Sequence, residues 1–316
     1  MLRVTPALDR AWQVVRRVPL YYRGGADPTQ DRPAHVRAAS ALTVWRGAVA
    51  VASDDASFVA TVDVATGLCD AIALPAGAGG RRQFDAGRGN KADKLDLEAA
   101  IAIDDALVAL GSDSGRAVRR QAAVIDAAGP RLVPLPRLYS ALAQPALGTG
   151  ALNLEGATVL GDAVVLGNRG GDVGPDGAPT VDAVARLPVA ALRALLAAPD
   201  VAPVPTVAWT AVDLGALDGV ALRLTELEAW DGALAFAATA EATTSAYDDG
   251  AVVGSVLGAL DATGGWHAAV HAEDGRPLTA KLEGLVRLGD RWLASIDADA
   301  PDQPSELIEL VLARGG

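Results

Sequence analysis

One pattern of apolar and polar residues recurs along the chain. A Glu precedes a short apolar stretch, a tight turn rich in Asp and Gly follows, and a second apolar stretch ends in a small polar residue. Short β runs joined by such turns are typical of hairpins. Four copies carry the Glu, at Glu98, Glu155, Glu228 and Glu283. In that order they read LDLEAAIAIDDALVALGSDS, LNLEGATVLGDAVVLGNRGG, TELEAWDGALAFAATAEAT and AKLEGLVRLGDRWLASIDAD. An earlier degenerate copy, VRAASALTVWRGAVAVASDD, has Ala39 at that position.

The spacing of the copies predicts a repeat architecture. Counting Ala39, the Glu positions are 59, 57, 73 and 55 residues apart, and two more strand patterns follow each of the first four copies. Four strands per repeat at about this period indicate the blades of a β-propeller. We therefore predict an all-β, single-domain β-propeller over residues 1–316, with about five four-stranded blades and six as the alternative count.

The last copy is followed by only one strand pattern, SELIELVLA. We expect the missing strand to come from the N-terminal segment RAWQVVRRVPL, which would close the ring. The stretch RLVPLPRLY is predicted to be the fourth strand of the second blade. The Ala/Leu-rich stretch LPVAALRALLAAPD predicts a short helix.

The expected geometry brings polar residues to one mouth of the channel. In a propeller the first strand of each blade lines the channel, and its start lies on the same face as the end of the second strand. The position two residues before each Glu faces the same side of the strand; these residues are Arg37, Asp96, Asn153, Glu226 and Lys281. The second strands end at Ser53, Ser112, Asn168, Thr239 and Asp297.

Loop cations are expected on the same face, where they would bind an anionic group. The predicted ligand-binding set joins them to the mouth residues: Arg37, Lys94, Asp96, Glu98, Ser112, Arg116, Asn153, Glu155, Asn168, Arg169, Glu226, Glu228, Lys281 and Glu283.

The clustered carboxylates need compensation, because repulsion and desolvation are costly. Three kinds of partner would compensate the carboxylates. They are backbone N–H groups of the next blade, nearby cations such as Arg37 and Lys281, and a shared Ca²⁺ held by Glu98, Glu155, Glu228 and Glu283. Regular repetition favours the first, structural role, since a ligand site needs only one special position.

Composition narrows the functional classes. The chain is 51% hydrophobic and 21% charged, with a net charge of −12, which disfavours nucleic acid and anionic membranes as partners. The single cysteine, Cys69, fits a reducing compartment. No signal-peptide or membrane-spanning pattern is seen, so a cytoplasmic location is expected. No metalloprotease, P-loop or Ser/His/Asp pattern assigns catalytic residues, and His35 is the one histidine expected near the mouth.

Two phrases resemble a known group. They resemble uncharacterised bacterial β-propeller proteins related to the phytase-like and esterase-like propellers. The first phrase is Lys94-Leu95-Asp96-Leu97-Glu98 with Gly111-Ser112-Asp113-Ser114, and the second is Leu152-Asn153-Leu154-Glu155-Gly156 with Asn168-Arg169-Gly170. The resemblance implies an axial pocket and, in some relatives, Ca²⁺-assisted phosphoester hydrolysis.

Two functions are therefore expected. The first is a propeller that binds a small polar or anionic ligand, or a protein partner, at the mouth of its channel. The alternative is a Ca²⁺-assisted phosphoester hydrolase. In it the four Glu residues would share metal or general-base duty, and Lys94, Arg116, Arg169 and Lys281 would hold the anion.

Overall fold

The computed structural model describes residues 1–143, 147, 152–171, 180–242, 250–298 and 300–314. These residues form an all-β structure with two short α-helices and a few single-turn 3₁₀-helices, at Pro28–Gln30, Ala78–Gly80, Lys91–Asp93 and Ala117–Arg119. None of the described helices is long and apolar enough to cross a membrane.

The strands form antiparallel groups of four, which we call units 1 to 5. The chain begins with β1 (Leu2–Pro6), β2 (Arg10–Pro19) and β3 (Tyr21–Tyr22). Unit 1 contains β4 (Ala39–Trp45), β5 (Ala48–Ser53), β6 (Phe58–Val62) and β7 (Leu68–Ala73), and unit 2 contains β8 (Leu97–Ile103), β9 (Ala106–Gly111), β10 (Gln121–Asp126) and β11 (Gly129–Pro134).

Helix α1 (Pro136–Leu142) leads into unit 3, which contains β12 (Leu154–Leu160), β13 (Ala163–Asn168), β14 (Ala183–Pro188) and, after helix α2 (Val189–Ala197), β15 (Trp209–Asp213). The short β16 (Ala216–Leu217) precedes unit 4, which contains β17 (Val220–Trp230), β18 (Ala233–Ala242), β19 (Ala251–Asp261) and β20 (Gly264–His271).

Unit 5 takes strands from both parts of the chain. β21 (Leu282–Leu288), β22 (Arg291–Ile296) and β23 (Glu306–Arg314) follow one another, and β2 pairs antiparallel with β23 as the fourth strand. The predicted pairing of the segment RAWQVVRRVPL with the final strand is therefore confirmed. β1 lies parallel to both β15 and β20, so it joins units 3 and 4.

The second strand of each unit is almost entirely buried. In β5 and β9 every residue after the first is buried, whereas the outer strand β11 has one buried residue, Val133. Strands covered on both faces read as continuous apolar runs rather than as an alternation, which explains the Ala/Val runs of the repeated pattern.

The first strands pack against one another in a cycle. β4 contacts β8, β8 contacts β12, β12 contacts β17, β17 contacts β21, and β21 contacts β4 again. Each of the five hydrophobic clusters likewise contains residues from two neighbouring units. The beginnings of strands far apart in sequence therefore come close together.

Local turn chemistry agrees with the pattern. Asp104, Gly161, Asp231 and Gly289 have positive φ angles in the turns between first and second strands, as tight hairpin turns require. The predicted helix in LPVAALRALLAAPD is confirmed as α2. The strand predicted over RLVPLPRLY is wrong in its second half, because β11 ends at Pro134 and α1 begins at Pro136, where a proline suits the first helical turn.

Candidate functional site

A polar cavity of about 1010 Å³ opens where the first strands begin. Its wall is formed by residues that precede or begin the first strands, residues that follow the second strands, and part of the loop before β8. Its charged lining residues are Arg37, Asp54, Asp55, Asp85, Lys91, Lys94, Asp96, Glu98, Arg119, Glu155, Arg169, Arg223, Glu241, Lys281, Glu283 and Asp297.

A β-bulge at the start of each first strand positions the carboxylates. Pairing between β8 and β9 skips Glu98, pairing between β12 and β13 skips Glu155, and pairing between β21 and β22 skips Glu283. A bulge re-aims the side chain of the unpaired residue, and all three Glu residues line the cavity. In unit 1 the skipped residue is Ser40, not Ala39, and Ser40 also lines the cavity.

Unit 4 has a different register from the one predicted. The pairing of β17 with β18 skips Thr225, so Thr225 and not Glu228 is equivalent to Glu98. The position two residues earlier is held by Arg223, which lines the cavity. Glu226 and Glu228 lie outside the described lining, and burial raises the pKa of Glu228 to about 8.

Glu226 lies inside the ring of first strands and is completely buried. Its Oε1 accepts hydrogen bonds from the N–H groups of Leu227, at 2.8 Å, and Ala157, at 3.2 Å, on the neighbouring β12. A Cβ on Gly156 would lie 2.8 Å from this oxygen, so the glycine makes room for the carboxyl. Burial raises the pKa of Glu226 well above its usual value, although the N–H of Leu227 opposes the shift.

Lys94 is the centre of an ion-pair cluster. Its Nζ lies 2.6 Å from Oδ2 of Asp54 and 2.6 Å from Oδ1 of Asp96. The other oxygen of Asp96, Oδ2, lies 2.8 Å from Nη1 of Arg119 and accepts a hydrogen bond from Ser112. Burial alone would lower the pKa of Lys94, but Asp54 and Asp96 outweigh it and raise that pKa.

Glu98 lies beside this cluster without a cation of its own. Carboxylate oxygens of Glu98, Asp54 and Asp96 lie within 4.8 Å of one another, and the described residues include no ion pair to Glu98 at 4.0 Å or less. Burial, and then the charges of Asp54, Glu155 and Asp96, raise its pKa well above the usual value. Glu98 is thus a carboxyl on the cavity wall whose surroundings favour its protonated form.

In the next part of the wall each carboxylate lies near a lysine or an arginine. Glu155 accepts a hydrogen bond from Nδ2 of Asn153 at 2.7 Å and lies 3.6 Å from Nη1 of Arg169. Arg169 also lies 2.9 Å from Glu241, and Lys281 lies 2.5 Å from Glu283. Burial raises the pKa of Glu155 to about 7, against the opposing charge of Arg169.

Arg37 connects the loop before β8 to the mouth of the cavity through ion pairs and a hydrogen bond. Its guanidinium is buried, lies 2.5 Å from Asp55 and 3.3 Å from Asp85, and donates to Oε1 of Gln83 at 3.0 Å. Burial, followed by the charge of Asp54, raises the pKa of Asp55 to about 6.

The predicted set is therefore only partly brought together. Nine members line the cavity: Arg37, Lys94, Asp96, Glu98, Asn153, Glu155, Arg169, Lys281 and Glu283. Ser112 and Asn168 are buried behind the wall; Oδ1 of Asn168 accepts the N–H of Asn153. Arg116 is exposed outside the lining, and Arg119, three residues later, takes the place expected for it. His35 also lies outside the lining.

Several wall residues were missed, chiefly Asp54, Asp55, Arg223 and Glu241. Asp54 and Asp55 directly follow β5, so their position after a second strand was the available signal. Of the four Glu residues predicted to share a metal, only Glu98 belongs to the three-carboxylate group with metal-ligand spacing among the described residues, and Asp54 and Asp96 are its other members.

The fold and this site define an all-β protein with a propeller-like arrangement around a polar cavity. A glutaminyl cyclase from Myxococcus xanthus has a similar structure, at 12% identity over 100% of this chain and 99% of that chain, with a TM-score of 0.50. A putative exported protein from Bacteroides fragilis matches at 8% identity over 99% of each chain, with a TM-score of 0.47. The WD40 β-propeller domain of Doa1 matches at 8% identity over 95% and 97%, with a TM-score of 0.36. At such identities the likeness concerns the fold and not the activity.

No protein with a curated description matches the chain. A family model does match, over residues 35–312. The chain belongs to this family, DUF6929, a family of unknown function.

Proposed function

We propose that residues 1–316 form a single five-bladed β-propeller whose central cavity binds a small polar ligand. The cyclic contacts of β4, β8, β12, β17 and β21 support the blade count, and the pairing of β2 with β23 supports closure of the ring. A crystal structure with a sixth blade, or with two separate lobes, would contradict this architecture.

The cavity itself carries the functional proposal. Its described lining contains seven Lys or Arg side chains and nine Asp or Glu side chains, and most of these cations already contact a carboxylate. A polyanionic ligand would have to compete with those internal carboxylates. The charge balance therefore favours a small ligand that is uncharged overall, zwitterionic or cationic over one that carries several phosphates.

The Ca²⁺-assisted phosphoester hydrolase stays a prediction. The group formed by Asp54, Asp96 and Glu98 favours it, because carboxylate oxygens are the ligands that Ca²⁺ prefers. The ammonium of Lys94 opposes it, since it lies within 2.6 Å of two of these three carboxylates. A protein partner at the mouth also stays a prediction.

Thermal-shift measurements with panels of sugars, amino acids, amines and phosphate esters test the binding function. Ala221 lines the cavity and is exposed, so Ala221→Trp should fill part of the cavity without disturbing the core. Ala127 is exposed in the turn between β10 and β11, and Ala127→Trp is the matched control. We expect at least one small polar compound to raise the Tm of the wild type and of Ala127→Trp, but not of Ala221→Trp.

A panel with no stabilising compound, or stabilisation that Ala221→Trp retains, would reject the cavity as the binding site. Stabilisation by CaCl₂ that EDTA reverses, together with stabilisation by phosphate esters, would instead favour the hydrolase.

A further inference from the structure

We propose, resting on the binding function above, that the ligand carries a primary ammonium group. This ammonium contacts Glu98 and forms an ion pair with that carboxylate.

The charges of the wall carry this inference. The network of wall residues around Glu98 contains six carboxyl groups and four cations, whose ion pairs form three separate groups. With every carboxyl ionised the network lacks two positive charges, and charges removed from water require compensation. The carboxyls are Asp54, Asp96, Glu98, Glu155, Glu241 and Glu283, and the cations are Lys94, Arg119, Arg169 and Lys281.

The position of Glu98 identifies where a further cation fits. Lys94 forms ion pairs with Asp54 and Asp96, and Arg119 forms a further ion pair with Asp96. Arg169 forms ion pairs with Glu155 and Glu241, and Lys281 forms one with Glu283. Glu98 is the carboxyl of this network without an ion pair among the described residues. It is partly exposed and lines the cavity, so a ligand can reach it.

An ammonium suits this position better than a metal ion. Lys94 demonstrates that the cluster accepts an ammonium, with N···O distances of 2.6 Å to two carboxylates. Ca²⁺ requires six to eight oxygen ligands, whereas one oxygen of Asp54 and both oxygens of Asp96 are already bonded to side-chain donors.

Other groups near Glu98 decide the pH of the experiment. Burial holds the pKa of Glu155 at about 7, so at pH 8 Glu155 is mostly ionised and the wall carries more negative charge for an ammonium to compensate. The charged groups that act most strongly on Glu98 are Asp54, Glu155, Asp96 and Lys94.

Isothermal titration calorimetry at pH 8 tests the proposal with matched probes. Ethanolamine is compared with ethane-1,2-diol, and 5-amino-1-pentanol with pentane-1,5-diol, so each pair differs by an ammonium in place of a hydroxyl. Each titration is run in HEPES, and the dissociation constants are compared within each pair. Tris is avoided, since it is itself a primary amine.

We expect the amino alcohol of at least one pair to bind about tenfold more tightly than its diol. Glu98→Gln keeps the shape of the side chain without its charge, and it should abolish this preference. Glu273 is an exposed carboxyl outside the lining, and Glu273→Gln should behave like the wild type.

Diols that bind as tightly as the amino alcohols, or a preference that survives in Glu98→Gln, would each overturn the ammonium proposal. Tm stabilisation by CaCl₂ that is lost in Glu98→Gln would also overturn it, by making the cluster a metal site. A cavity ligand without an ammonium, found in the thermal-shift panels, would overturn it and leave the binding function intact. Failure of every compound, including these four probes, would reject both.

Discussion

Glutamates of the repeated phrase are accommodated in two different ways in this protein. Glu98, Glu155 and Glu283 line the cavity, where bulges in β8, β12 and β21 place them among lysines and arginines. Glu226 of unit 4 lies inside the ring and accepts hydrogen bonds from backbone N–H groups of β12 and β17. Similar sequence phrases thus produce a polar wall in three units and a buried link between strands in the fourth.

The residue types beside the bulge account for the difference. The bulge lies five residues before the end of the first strand in every unit. In unit 4 the skipped residue is Thr225, so Glu226 occupies the position that Ala41, Ala99, Gly156 and Gly284 hold in the other units. Those four residues are small, whereas the long side chain of Glu226 reaches Ala157 of β12, beside Gly156.

Removal of the buried carboxyl should have the largest effect. Glu226→Ala leaves the N–H groups of Leu227 and Ala157 without an acceptor and creates a cavity, so we expect the free energy of unfolding to fall by about 4 kcal/mol. Glu226→Gln keeps the acceptor oxygen and should stay within about 1 kcal/mol of the wild type. Urea unfolding measures both, and equal loss in the two variants would mean that the hydrogen bonds do not hold Glu226 in place.

Loss of the Lys94 ammonium at the mouth should have the second-largest effect on the free energy of unfolding. Lys94→Met leaves Asp54 and Asp96 with less compensation, and we expect a loss of about 3 kcal/mol at pH 8. At pH 5 part of this loss should be recovered, because the two carboxyls can take up protons. Lys91, an exposed lysine of the same loop, gives the control Lys91→Met, which should change stability by less than about 0.5 kcal/mol. Equal stability of the two variants at pH 8 would show that the ion pairs at the mouth contribute nothing.

The smallest effect is expected in the pH dependence of the wall. The pKa of Glu155 is about 7 in the folded protein and 4.5 for an unperturbed Glu. The folded state therefore binds more protons between these values, and the contribution of Glu155 to stability is present below pH 4.5 and is lost as the pH rises through 7. Glu155→Gln removes this loss, so between pH 5 and pH 8 its unfolding free energy should rise by about 2 kcal/mol relative to the wild type.

Unfolding curves at several pH values measure this difference, with Glu273→Gln as the exposed control. A difference between Glu155→Gln and the wild type that stays constant with pH would contradict the raised pKa of Glu155.

Much of the strand order could be predicted from the sequence, because the repeated pattern marks each first hairpin. Asp-Gly turns fixed the position of the hairpins, and the unpaired last strand, SELIELVLA, indicated a partner in the N-terminal segment. Helix α1 was missed because LPRLY contains only apolar, proline and arginine positions that suit a strand equally well.

The site could be predicted less completely. The motif glutamates of units 2, 3 and 5 and the lysines beside them were found, because strand starts converge in a ring. The register of unit 4 was misassigned by three residues, because the Leu-Glu-Ala of TELEAW was aligned with the Leu-Glu-Ala of unit 2, whereas the distance to the turn at Asp231-Gly232 makes Thr225 the equivalent residue. Asp54, Asp55 and Glu241 were missed although they belong to the quoted copies, because the last polar residue of the second strand was expected at Ser53 and Thr239; only the fold brings them to the same wall.

The pairing of β2 with β23 has a consequence for how the protein is made. Arg10 lies opposite Arg314 and Pro19 opposite Glu306, so β2 must wait until β23, which follows every other described strand, has left the ribosome. During synthesis β2 remains an unpaired edge that could associate with other chains. Arg10, Arg16 and Arg17 lie on that strand, and their like charges should keep it soluble until its partner arrives.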